Sequence, residues 1–79
     1  MDTRTLLRHF FGKGKLSTRE ISLKMGRSHS YLSRYLYRES VPSSDNLAEI
    51  MDAINHDLLV RNRSTGEEII IDPPEKPEG

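Results

Sequence analysis

The sequence predicts a mainly α domain of four to five helices that closes with a C-terminal β-hairpin. Three observations carry that expectation. Apolar residues recur at helical spacing in four stretches before residue 56. Each stretch follows a residue able to cap a helix. After residue 56 the period changes to two short aliphatic runs around a turn-rich segment.

The first helix is capped by Asp2 or Thr3 and carries Leu6, Leu7, Phe10 and Phe11 as one stripe, until Gly12-Lys13-Gly14 stops it. Ser17-Thr18-Arg19-Glu20 is a capping-box pattern, with Leu16 and Ile21 placed as a hydrophobic staple. That second helix is short, because Gly26 sits where a C′ glycine ends a helix. Ser28 can cap a third helix running to about Tyr37, with Leu32, Tyr35 and Leu36 turned inward. Val41-Pro42-Ser43-Ser44 breaks the chain and caps again, and Leu47, Ile50, Met51 and Ile54 form the clearest apolar stripe. Leu58-Leu59-Val60 and Ile69-Ile70-Ile71 then flank Asn62-Arg63-Ser64-Thr65-Gly66, a hairpin with Gly66 at positive φ. The Pro-rich tail, 73–79, is expected to be disordered.

A chain of 79 residues makes one small domain with a small core. It has no Cys, which removes disulfide scaffolds and thiol chemistry. No apolar run reaches the roughly 20 residues of a membrane span, and no signal peptide is expected, so a cytoplasmic protein without membrane contact is the expectation. The zero net charge hides a strong polarity. Residues 1–40 hold nine basic and three acidic residues, a net +6, and residues 41–79 hold the reverse, a net −6. A basic half points to a polyanionic partner.

The informative stretch is 17–36. Two helices of about two turns each, joined at Gly26-Arg27-Ser28, are too closely linked to lie antiparallel and must cross steeply. Ser22 is small where the two helices would approach, while Ile21, Met25, Leu32 and Tyr35 can form the core between them. His29, Ser30, Ser33 and Arg34 are left on the outer face. Short hydrogen-bonding side chains plus an Arg suit a helix entering a groove about 12 Å wide.

These residues carry a family resemblance. Leu16 to Gly26, followed by Ser28 through Arg34, resembles the helix-turn-helix of the phage repressor and Cro-like (lambda repressor-like, XRE-type) family. Pro42-Ser43 and Leu47, Ile50, Ala53 and Ile54 are similar to that family's fourth helix. The resemblance spans residues 3–57. Arg27 departs from it by standing where a buried aliphatic residue is usual, Leu36 by standing where Glu is common, and Arg38 where Gly often ends the third helix. Leu23 is apolar at an expected exposed position.

The resemblance implies sequence-specific binding of double-stranded DNA by a small bacterial or phage transcriptional regulator, in the role of repressor, with its third helix in the major groove. It implies base contacts from His29, Ser30, Ser33 and Arg34 and a phosphate contact at Thr18. Arg27, Ser28, Tyr31, Tyr37, Arg38 and Ser40 would add backbone contacts, with Lys13 and Lys15 from the glycine loop. The implied organisation is a helix-turn-helix domain over 1–56, a hairpin over 57–72 and the tail.

The hairpin has its own signal. Three consecutive aliphatic residues on each strand place apolar groups on both faces, where a hairpin packed on helices needs only one. One face is expected to cover the helices, through Leu58, Val60, Ile69 and Ile71 or through the opposite set. Leu59 and Ile70, on the other, are expected to hold a second copy, giving a homodimer on a palindromic operator.

The rival is a protein-interaction module on the same fold, of antitoxin or phage-inhibitor type, gripping its partner with the acidic half. RNA binding ranks behind it, because no aromatic stacking sheet is evident. His9, His29 and His56 share no ligand spacing, and no nucleophile–base pair or phosphate cradle is present. No metal, cofactor or catalytic activity is expected.

Overall fold

Local capping chemistry starts three of the four helices where the sequence suggests. The structure is a computed structural model that describes residues 1–38 and 40–74. It contains helices α1 (Thr3–Phe10), α2 (Thr18–Lys24), α3 (Tyr31–Tyr37) and α4 (Ser44–Ala53), then strands β1 (Leu58–Arg61) and β2 (Glu68–Ile71). Asp2 caps α1 by accepting from the Thr5 amide, Ser17 caps α2 through the Glu20 amide, and Ser43 caps α4 through the Asn46 amide. The chain is mainly helical and ends in a two-stranded antiparallel hairpin. It divides into two compact units, one ending at Pro42 and one starting at Ser43. The expected boundary at 56/57 falls inside the second.

In the first unit α3 packs against both α1 and α2. Leu7, Phe11, Met25, Tyr31, Leu32, Tyr35 and Leu36 are buried, with Ser22 fully enclosed among them. α2 ends in a Schellman turn: Gly26 has φ +74°, its amide donates to Leu23 O, and the Arg27 amide donates to Ser22 O. The glycine loop after α1 folds onto itself, with a bridge between Phe11 and Leu16.

The third helix begins later than expected. Ser28 does not cap it; its carbonyl accepts from the Tyr31 amide at 3.0 Å, closing a turn, and Ser30 occupies the cap position without a side-chain bond. The connection is therefore 25–30, twice the expected three residues. The first turn of α3 is served from α2 instead of from its own cap residue: Ser22 Oγ accepts from the Leu32 amide at 3.1 Å.

In the second unit α4 packs on β1. Ala48, Glu49, Ile50, Met51 and Ile54 are buried. α4 also ends in a Schellman turn, built on Asn55 at φ +63°, with the His56 amide donating to Met51 O and the Asn55 amide to Asp52 O. The strands pair Leu58 with Ile71, Leu59 with Ile70, Val60 with Ile69 and Arg61 with Glu68. Asn62 organises the turn, its Oδ1 accepting from the Ser64 and Thr65 amides, and Gly66 closes it at φ +80°.

The expectation that one hairpin face covers the helices is corrected. Only Leu58 and Ile71, at the base, are half-buried, whereas Val60 and Ile69 on the same face stay 53% and 58% exposed. Leu59 and Ile70, on the opposite face, are exposed as well. Directly paired residues share a face, so the outer part of the hairpin is apolar and wet on both sides. Of the expected disordered tail, Pro73 and Pro74 have no regular structure, and 75–79 lie outside the described residues.

Candidate nucleic-acid interface

α3 is amphipathic in a specific way. Tyr31, Leu32, Tyr35 and Leu36 form its buried stripe. Opposite them, Ser30, Ser33, Arg34, Tyr37 and Arg38 line one shallow surface depression of about 270 Å³. Their spacing of three, four, seven and eight residues puts them on one helical face. Four of the five are exposed, Tyr37 to 74%, and Ser33 is half-buried. The Ser33 hydroxyl donates to Ser30 O at 3.0 Å, so its remaining capacity is as an acceptor. The face thus offers two guanidinium groups, a phenol and two small hydroxyls.

Of the residues expected to touch DNA from the third helix, three are placed differently, and Ser30 is one of them, standing before the helix as its N-cap residue. His29 is exposed but sits in the turn before α3, because the helix starts at Tyr31. Tyr31, expected as a surface contact, is 7% exposed, and burial removes it from any direct role. Its ring meets Tyr35 edge-to-face at 5.4 Å between centroids, and the Arg27 guanidinium lies 4.9 Å from its centroid. Arg27, in place of a buried aliphatic residue, stays exposed and is held at the surface by that ring. Ser28 and Ser40 are exposed, and Thr18 is half-buried in the first turn of α2.

The basic surface is narrower than the charge count implies. Arg8 donates to Leu36 O at 2.8 Å and Arg4 donates to Arg38 O at 2.5 Å. Lys15, expected to face phosphate, donates instead to Arg8 O at 2.7 Å, while Lys13 stands exposed in the glycine loop. Three cations of the first unit therefore bond main-chain carbonyls. Sequence periodicity does not reveal such contacts, although the missing glycine at the end of the third helix is a signal that its carbonyls need other partners.

Among the described residues, no group of three His, Asp or Glu could hold a metal ion, and no helix is long and apolar enough to cross a membrane. No family model, curated protein or solved structure matches the chain.

Proposed function

We propose that this protein is a sequence-specific double-stranded DNA-binding regulator on a lambda repressor-like helix-turn-helix fold, acting in the cytoplasm as a repressor. One observation supports this above the others: the outer face of α3 gathers Ser30, Ser33, Arg34, Tyr37 and Arg38 over a packed base of Tyr31, Leu32, Tyr35 and Leu36. In this reading α3 enters the major groove. Ser33 and Arg34 meet base edges, and an Arg there suits the two acceptors of guanine. Tyr37, Arg38, Arg27 and Lys13 meet phosphates, joined by the hydroxyls of Thr18, Ser28 and Ser30 and by His29 from the turn.

The partner copy belongs to the same proposal. The hairpin exposes Leu59, Val60, Ile69 and Ile70 beside strand edges with unpaired main-chain groups. A second copy meeting it through Leu59 and Ile70 would remove that one face from water, with Val60 and Ile69 on the other. Arg61 opposite Glu68 at the same end lets two identical hairpins meet without a like-charge clash. A two-fold dimer presents two copies of α3, which a palindromic operator requires.

The test is selection of bound duplexes from a random pool, followed by titration of the winner over a range of salt. A palindrome is expected, with affinity falling by about 0.9 log units per log unit of salt for each phosphate neutralised. No enrichment and no salt dependence would refute DNA binding and turn attention to a protein partner for the acidic half.

A further inference from the structure

α3, like α1, ends on an extended residue and without the device that ends α2 and α4. α2 and α4 close in Schellman turns on Gly26 and Asn55, both at positive φ. At the end of α3 stands Arg38, in extended conformation with φ −119° and ψ 168°, which carries the chain away from the helix axis at the cap residue itself. The last carbonyls must find donors elsewhere. They find them on α1: Arg8 reaches Leu36 O and Arg4 reaches Arg38 O. The two arginines are four residues apart, hence on one face of α1, the face that meets α3. Both are also cations at a helix C-terminus, where the partial charge of the carbonyls favours them.

We infer that Arg4 and Arg8 are positioning residues for the DNA-binding face, clamping the end of α3 so that Tyr37 and Arg38 hold their place on it. This rests on the proposed DNA-binding role, and it assigns two members of the basic half a task that is not phosphate contact. The residues they grip are the neighbours and members of the interface: Leu36 precedes Tyr37, and Arg38 offers its carbonyl to Arg4 and its side chain to the outer depression. A lost clamp frees the last turn of α3 and with it the two bulkiest groups on the face. Arg4 gives a donor to Arg38 O and Arg8 one to Leu36 O, and in this inference neither is counted among the neutralised phosphates.

The experiment compares the full chain with Arg8→Met, Arg8→Lys and Arg4→Met, reading amide exchange in the free protein and DNA affinity against salt. In free Arg8→Met, the Arg38 amide, which donates to Arg34 O at 3.2 Å, is expected to exchange about tenfold faster, while α2 amides keep their rates. Affinity for the selected duplex is expected to fall by about tenfold with the salt slope of the parent. Arg8→Lys, which keeps one donor, should recover part of both effects. In a background already carrying Tyr37→Ala and Arg38→Ala, Arg8→Met should cost little more, which a general loss of stability would not reproduce. A salt slope reduced by about 0.9 in Arg8→Met would mark a phosphate contact and overturn the inference. Unchanged exchange at Arg38 would overturn it too. If the parent binds no duplex, the DNA-binding role fails, and the exchange data still decide whether the clamp exists.

Discussion

Ser22 caps a helix to which it does not belong. Its Oγ, on α2, accepts the backbone N–H of Leu32 in the first turn of α3 at 3.1 Å, inside a fully buried setting. Ser30, at the cap position itself, makes no such bond. One hydroxyl therefore fixes both the spacing of the two helices and the start of the second. Ser22→Ala should destabilise the protein by about 1–2 kcal/mol, since an orphaned amide is left where water cannot reach it. Urea unfolding at equal slope would measure this; an unchanged midpoint would show that the bond contributes nothing.

Gly26 is required by conformation rather than space. It holds φ +74°, and a Cβ built there meets nothing within 4 Å. Gly26→Ala should therefore cost about 1–2 kcal/mol from backbone strain alone, and Gly26→Asn less. Thermal unfolding of the two variants separates them, and equal melting temperatures would contradict the strain account.

Arg34 and Ser33 point away from the core of the first unit. Replacing either with Ala is expected to leave stability within about 0.5 kcal/mol and to weaken binding to the selected duplex by about 1–3 kcal/mol per lost base contact. Retained affinity with retained sequence preference in both variants would remove α3 from the groove.

Leu59→Lys with Ile70→Lys puts like charges where a second hairpin would pack. The expected outcome is a monomer by light scattering with much weaker duplex binding, while the monomer stays folded because both positions are already exposed. A parent chain that is itself monomeric well above the concentration saturating DNA would refute the dimer.

Asp2 makes helix α1 sensitive to acid. The Thr5 backbone N–H, then the Thr5 side chain, hold its carboxyl below the ordinary value. The folded value is depressed, so the cap's contribution is present above the unfolded carboxyl value and is lost as pH falls through the folded one. An NMR titration should place Asp2 lower in the parent than in a peptide of residues 1–10. Equal values would show that the cap bond does not form in solution.

Much of the fold was legible in the residues themselves. Asp2, Ser17 and Ser43 announce helices because a side-chain oxygen at that position satisfies amides within three residues, a local bond that needs no tertiary partner. Gly26 and Gly66 are legible for the same reason, as positions where only a local positive φ is at stake. The stripe Leu32, Tyr35, Leu36 against Ser30, Ser33 and Arg34 follows from helical period alone, whereas Tyr37 and Arg38 were expected only from the family resemblance. What escaped was whatever joins residues far apart in the chain. Ser28 and Ser22 are equally plausible hydroxyls in the sequence, and only packing of α2 on α3 made Ser22 the one that caps. Arg4, Arg8 and Lys15 count as surface charge until α1 packs beside α3 and the glycine loop folds back, which brings carbonyls within reach of their donors. Tyr31, expected at the surface from the family resemblance, shares the buried face with Tyr35 four residues on. Local hydrogen bonding and periodicity determine where elements form; which donor meets which acceptor across elements is decided only when the chain is packed, because that choice depends on distance in space.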